Sequence, residues 1–376
     1  MLDLRYRSLS AVVLKVTSRC NLDCAYCYEK IGPSPDMSIE TFKSITSRVL
    51  QSSKKEKVLF ILHGGEPLLM KNDWLAKAAA HLDRESKMFG KVARLSMQSN
   101  ILNLKPSKIS VLMEAGISLS ASMDGPPAIK NAQRPLSERA AEAYRRARDA
   151  GLSVSVLMTI NASNWNRFPE IMDWLHDDLG VKMFKANAVT PVGMGAGLAP
   201  LPSAHLQKAR VDMAQHMFAN RGAIVEDHMV LDFSRYVARD RNNLPQSLCR
   251  ERRCGAGTEV VGFTQNGGIL PCGRFEWSDH NHRLGALDDI NDTAFHARVE
   301  DFHDLVPESW KDCGSCGARS ICSFGCQAFI VCNKDHFNVE CEQTKMMMNW
   351  MIRNDSVIRS FMTGYEGRWA PLRTKH

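Results

Sequence analysis

Ala11-Val-Val-Leu-Lys-Val-Thr17-Ser-Arg-Cys20-Asn-Leu-Asp-Cys24-Ala-Tyr-Cys27 joins a short β-branched run directly to three closely spaced cysteines. The run is too short for a buried helix and ends in polar turn residues, so it predicts a strand. Similar runs recur at Lys57–His63, Ala93–Ser99, Ile117–Met123, Ser153–Ile160 and Val181–Val189. Amphipathic stretches lie between them. Ser38 precedes one that puts Phe42, Ile45 and Val49 on a single face, and Asp73 opens another that stops near Gly90. Ser107 to Gly116 and Ser137 to Gly151 repeat the pattern of a polar start and a glycine stop. Six β-α units in succession predict a parallel sheet, because each parallel strand needs a crossover. Six units rather than eight predict an α/β fold of the open kind, a partial TIM-like (β/α)6 barrel. Its functional residues belong at the C-terminal ends of the strands.

The chain has 376 residues, 44% hydrophobic and 24% charged, with 24 Gly and 15 Pro. That excludes disordered and collagen-like classes and leaves room for two domains. No apolar run approaches the roughly 20 residues of a membrane span, and residues 1–7 lack the apolar core of a secretory signal. Twelve cysteines without an export signal point to metal or catalysis in a reducing cytoplasm rather than to disulfides. The net charge of +7 lies partly in the tail after Lys345, where basic residues outnumber acidic ones. Aromatic residues do not interleave with the basic ones, so no nucleic-acid groove is expected, and no membrane partner either.

After Leu201 the pattern changes. One more helix is expected over Ser203–Asn220, and then the sequence turns irregular. Nine of the twelve cysteines fall between 249 and 341, where periodic structure is too sparse to bury a core unaided. This predicts a core domain over 1–235, followed over 236–376 by a small metal-held domain with a C-terminal helix and basic tail.

Three thiolates on one tight loop, as at Cys20, Cys24 and Cys27, can hold three irons of a cubane cluster and leave the fourth open. A structural zinc site needs four closed ligands, and no fourth Cys or His follows before His63. This C-x3-C-x2-C loop after the first strand, with Tyr26 before the third cysteine, resembles the radical S-adenosylmethionine (SAM) superfamily. The resemblance implies that the open iron binds the amino and carboxylate groups of SAM. It further implies reductive cleavage to a 5′-deoxyadenosyl radical, which takes a hydrogen atom from substrate.

Gly64-Gly65-Glu66-Pro67 after the second strand resembles the family segment that holds the SAM amino group; alone it could be only a turn. Gln98-Ser99-Asn100 ends the third strand where the family carries a Gln-Thr-Asn-Gly-like segment, here with Ile101 in place of the glycine. Ser122-Met123-Asp124-Gly125 resembles the family's Ser-x-Asp-Gly. By resemblance Ser122 and Arg134 contact SAM, the arginine pairing with its carboxylate. Asp124 is either a weak candidate for the catalytic base or a residue that shapes the turn. Thr159, Asn161 and Asn187 either line the pocket or cap the next helix or turn.

Cys254-x12-Gly-x4-Cys272, then Cys313-x2-Cys316-x5-Cys322-x3-Cys326 and finally Cys341, resembles the SPASM domain of radical SAM peptide maturases. The resemblance implies two auxiliary [4Fe–4S] clusters. Cys254, Cys272 and Cys326 would hold the first, with Cys249 as fourth ligand or with one iron left open. Cys313, Cys316, Cys322 and Cys341 would hold the second. Cys332 is left over, a small hydrophobe or a functional thiol. His280 and His282 are either ligands or an exposed turn. Met346 to Met351 reads as a packed helix, and Gly193-Met-Gly195-Ala-Gly197 is set aside as a phosphate loop because Pro200 and Pro202 intrude.

Anaerobic sulfatase-maturating enzymes share this architecture but place an Asp after the cysteine matching Cys272, where this chain has Gly273. Glu276 is a weak substitute. Cys20 also comes too early for a peptide-recognition domain to precede the barrel. The resemblance therefore implies a maturase of ribosomally made peptides, forming a carbon–carbon cyclophane or, next, a thioether. Its implied partners are a precursor peptide and a reductant such as flavodoxin or ferredoxin. Formylglycine formation stays open as an alternative, and so does a zinc-stapled, non-catalytic peptide-binding protein.

Overall fold

The computed structural model describes residues 4–129, 132–239, 249, 254–288, 292–304, 313–332 and 340–373. Its strands are β1 (Ala11–Thr17), β2 (Lys57–Gly64), β3 (Val92–Ser99), β4 (Ser118–Ser122), β5 (Val154–Ile160), β6 (Met183–Ala188), β7 (Val225–Glu226), β8 (Val260–Phe263), β9 (Gly268–Leu270) and β10 (Gly285–Ala286). The helices are α1 (Ile39–Ser52), α2 (Asn72–Met88), α3 (Pro106–Glu114), α4 (Ser137–Asp149), α5 (Phe168–Asp173), α6 (Ser203–Ala219), α7 (Asp227–Val237), α8 (Asp292–Asp304), α9 (Gln327–Cys332), α10 (Cys341–Arg353) and α11 (Asp355–Arg373).

One sheet runs β10-β9-β8-β1-β2-β3-β4-β5-β6-β7. It is parallel from β8 through β7, while β9 and β10 turn back antiparallel. This is the partial barrel expected from the six β-α units, and all six predicted strands form. The run over Ala11–Thr17 is apolar at nearly every position because β1 lies inside the sheet and all 7 of its residues are buried. Its charged exception is Lys15, at 0% exposure.

The helix starts differ in part from the sequence reading. Ser38 does cap α1, its hydroxyl accepting from Thr41 N at 2.9 Å. α3, however, begins on Pro106 with Lys105 at the cap, because proline is already set for the first helical position. α2 starts one residue before Asp73, with no side-chain cap. α4 starts on Ser137 itself, after Leu136 in the left-handed region at φ 65°. That turn ends the segment carrying Arg134 into the site.

The sheet continues past residue 235, since β8 pairs in parallel with β1 through Ala11↔Val260 to Leu14↔Phe263. Beside it, Ala256, Leu270, Phe275, Phe302 and Ala328 form a small separate apolar cluster, with Cys254, Cys272 and Cys326 packed against it. Met347, Met348, Trp350 and Met351 of α10 are buried in the main core, as their spacing predicted. Among the described residues no helix is long and apolar enough to cross a membrane.

Candidate functional site

The cysteine loop leaves the C-terminal end of β1 and is held from three sides. Gly65 N donates to Thr17 O at 2.8 Å, and Glu66 N donates to Arg19 O at 2.7 Å. Gly195 N donates to Cys27 O at 3.0 Å, and Ala25 N donates to Gln133 O at 3.0 Å. Thr17 Oγ1 and the Arg19 guanidinium both reach Asp36, at 2.6 Å and 2.5 Å. The glycines are needed for this closeness. A Cβ on Gly65 would collide with the Arg19 carbonyl, and one on Gly64, at φ 118°, with that of Thr17. A Cβ on Gly195 would lie 3.0 Å from Tyr26 Cα. Gly193 to Gly197 therefore braces the cysteine loop, a role that its glycine spacing alone did not reveal. Gly65→Ala is expected to cost about 3 kcal/mol, read as a lower urea midpoint in equilibrium unfolding.

Around this loop the strand ends converge. Glu66 is fully buried, and its Oε1 accepts from Leu68 N at 2.8 Å and Ser99 Oγ at 2.7 Å. Its Oε2 accepts from Asn100 N at 2.7 Å. Burial pushes the Glu66 carboxyl up, and these donors oppose the shift. Glu66 thus ties β2 to β3, while Asn100 Nδ2 approaches Cys20 Sγ at 3.9 Å. Gln98 hydrogen-bonds His63.

Tyr26 OH bonds Asp124, and Arg134 Nε donates to Tyr26 OH at 2.7 Å while lying 3.4 Å from Asp124 Oδ2. Asp124 also accepts from Thr159 N at 2.9 Å and from Asn161 Nδ2 at 3.4 Å. It sits inside a network that fixes the ends of β4 and β5. A cavity beside the cysteine loop is lined by Leu22, Asn100, Ser122, Asp124, Gly125 and Arg134. Ser122 and Arg134, expected from the resemblance to contact SAM, meet there with Asn100 from the end of β3. Asn187 is half-buried on β6.

A second polar group was not foreseen from the sequence. Lys15 Nζ pairs with Glu29 Oε1 and donates to Gly273 O at 3.1 Å. Glu29 is 2% exposed, yet its Oε2 has no hydrogen-bond partner among the described residues. His63 Nδ1 lies 3.7 Å from Glu29 Oε1, and His63 Nε2 meets Tyr28 OH at 2.8 Å. Arg274 and Lys15 both lie over the Tyr28 ring, at 5.3 and 5.5 Å. Burial lowers the Lys15 ammonium to about 7 against the pull of Cys272, Cys27 and Glu276. Burial beside these cations lowers His63 to about 3, so its ring is neutral near pH 7. The group spans the gap between the loop at Cys27 and the loop after Cys272. Lys15→Met leaves Glu29 buried without its partner and is expected to destabilise the fold by about 3–5 kcal/mol; equilibrium denaturation checks this.

The structure sorts eleven cysteines into three groups. In the first, burial pushes Cys24 up to about 11, with Cys27 and Cys20 adding to it, and burial raises Cys20, with Cys27 adding to it. In the second, Cys272 is held well above the usual thiol range by burial and by the charges of Cys326, Cys254 and Cys249. Cys254 rises to about 12 for the same reasons. In the third, burial raises Cys322, with Cys341, Cys316 and Cys313 adding to it. A tetrahedral zinc ion holds its sulfurs about 3.8 Å apart, from bonds of about 2.3 Å. Among the described residues no three of these sulfurs come within 4.8 Å of one another. Such spacing fits clusters in which each thiolate binds its own iron. Cys332 lies beside the second group, its thiol pushed up to about 12 by burial, with Asp279, Cys326 and Glu276 adding to it, and Glu276 is half-buried near Lys15.

Residues 14–175 match the profile of the radical SAM superfamily. The chain is 23% identical, over 85% of its length and 89% of the relative's, to the cysteine-type anaerobic sulfatase-maturating enzyme of Clostridium perfringens. It is 26% identical to the antilisterial bacteriocin subtilosin biosynthesis protein AlbA of Bacillus subtilis, over 69% of this chain but only 54% of AlbA. Its fold matches the solved structure of native anSMEcpe with bound AdoMet and Kp18Cys peptide. The TM-score is 0.76 at 20% identity, covering 94% of this chain and 99% of that one.

Proposed function

We propose that this chain, a radical SAM enzyme by its domain at residues 14–175, modifies a ribosomally made peptide by taking a hydrogen atom from a side-chain carbon and closing an intramolecular cross-link. A carbon–carbon cyclophane is the preferred product, and a thioether is next. The observation that carries this reading is the sorting of eleven cysteines into three groups too open for single ions. Relatives along most of the chain that act on a sulfatase or a bacteriocin support a peptide substrate.

When bound, SAM and its [4Fe–4S] cluster at Cys20, Cys24 and Cys27 supply the 5′-deoxyadenosyl radical, and the two auxiliary clusters supply an electron acceptor. The rest falls to side chains. Arg134, held by Tyr26 and Asp124 at the cavity wall, places its guanidinium to pair with the SAM carboxylate. Glu66 keeps the Gly64–Gly65 turn rigid, so the turn's carbonyls can receive the ammonium. Asn100 and Ser122 line the same cavity. Cross-link formation removes two hydrogens from the peptide, one as an atom and one as a proton with its electron. Glu29 Oε2, buried and unpartnered among the described residues, takes that proton, while Lys15 pairs with the other carboxylate oxygen. An electron donor of flavodoxin or ferredoxin type completes the cycle.

Gly273 favours this over formylglycine formation. Its carbonyl accepts Lys15, and a Cβ there would lie 2.9 Å from Val13 Cγ1, so β1 occupies the side where an aspartate would project. Arg134→Gln is expected to weaken SAM binding about tenfold to a hundredfold, the worth of a charge-assisted hydrogen bond; anaerobic equilibrium dialysis measures it. The reaction itself is tested by incubating reduced enzyme and SAM with candidate precursor peptides. A product lighter by two hydrogens, inert to hydrazide probes and lacking fragment ions inside the ring, supports a cross-link. A hydrazide-reactive product from Cys or Ser supports the sulfatase-maturase alternative instead.

A further inference from the structure

Asp279, His282 and Cys332 carry chemistry that the site above does not use. Asp279 and His282 sit in the turn that follows the loop of Cys272, and Cys332 ends α9, the helix that starts just after Cys326. Far apart in sequence, their ligating atoms lie within 4.8 Å of one another, the one such triple of His, Cys, Asp or Glu among the described residues. The geometry is held from several directions. His282 Nδ1 meets Asp279 Oδ2 at 2.9 Å, and His282 N donates to Asp279 Oδ1 at 3.0 Å. The imidazole packs against Phe275 at 5.1 Å, on the small apolar cluster that also receives Cys272 and Cys326.

We infer that Asp279, His282 and Cys332 form a mononuclear site for a zinc-class divalent ion, with one coordination position left to solvent. One imidazole, one carboxylate and one thiolate suit zinc better than calcium or magnesium, which take oxygen ligands. The charges also match: a carboxylate and a thiolate so close repel each other, and a divalent cation offsets both. The exposed Cys332 leaves the remaining position open. The site's place gives it a task. It joins the segment after Cys272 to the end of the helix after Cys326, and so clamps together two elements that frame the second cysteine group.

The test uses the iron-loaded, full-length enzyme incubated anaerobically with zinc chloride and then desalted. About one zinc per chain is expected beside the iron, with zinc-edge absorption showing one sulfur at about 2.3 Å and nitrogen or oxygen at about 2.0–2.2 Å. Cys332→Ser and His282→Ala should each lower retained zinc at least about tenfold with iron unchanged. His280→Ala, an exposed neighbour outside the triple, should leave zinc unchanged. The inference is overturned if wild-type enzyme retains no stoichiometric zinc, if the two variants retain as much as wild type, or if His280→Ala loses it equally. Loss of iron together with zinc in Cys332→Ser would also overturn it, by making Cys332 a cluster ligand.

Discussion

Replacing Cys20, Cys24 and Cys27 together by alanine is expected to abolish 5′-deoxyadenosine formation while leaving the rest of the protein assembled. Iron should fall by about four of about twelve per chain, because the other two cysteine groups draw no ligand from this loop. The fold should survive, since the loop is fixed mainly by backbone bonds from Gly65, Glu66 and Gly195 and by the contacts of Tyr26, none of which needs a thiol. Iron and sulfide determination, with chromatography of the SAM products, checks both halves. If the variant lost all its iron, the independence of the three groups would be wrong.

The second large effect belongs to Glu29. Glu29→Gln keeps the side chain's shape and a hydrogen-bonding oxygen for Lys15, but it removes the proton acceptor. Cross-linked peptide should fall by about a hundredfold to ten-thousandfold, the usual worth of a general base. 5′-Deoxyadenosine formation should continue at near the wild-type rate, since Glu29 is not among the residues of the SAM cavity. The split between the two products is what identifies the role. A merely structural Glu29 would lower both together, and equal retention of both would remove it from the chemistry.

How much of this could be read from the sequence depended on whether each signal was local. The six strands of the barrel were legible because each is a β-branched or apolar run with its own turn residues, and the cysteine loop because its three ligands fall within eight residues of sequence. β8, β9 and β10 were not legible. They are 4, 3 and 2 residues long and exist through pairing with β1 and with one another. Lys15 was hidden inside an apolar strand, and its partner Glu29 lies in a loop without periodicity. A lysine in an otherwise apolar buried strand was the available signal, since such a charge needs a partner. Glu66 and Asp124 were legible as important positions, but which groups they meet depended on distant segments, Ser99 and Asn100 for one and Tyr26, Arg134 and Asn161 for the other. The triple of Asp279, His282 and Cys332 was invisible for the same reason: sequence spacing offered two histidines and a surplus cysteine with nothing to join them.

Whether the cysteines hold iron–sulfur clusters that cleave SAM decides everything built on them. The most direct measurement reconstitutes the wild-type protein anaerobically, counts iron and sulfide, and follows 5′-deoxyadenosine after SAM and a low-potential reductant are added. About twelve irons with matching sulfide are expected, together with formation of 5′-deoxyadenosine. Zinc in place of iron, or a full set of clusters that leaves SAM intact, would contradict the radical mechanism and leave a metal-stapled binding protein.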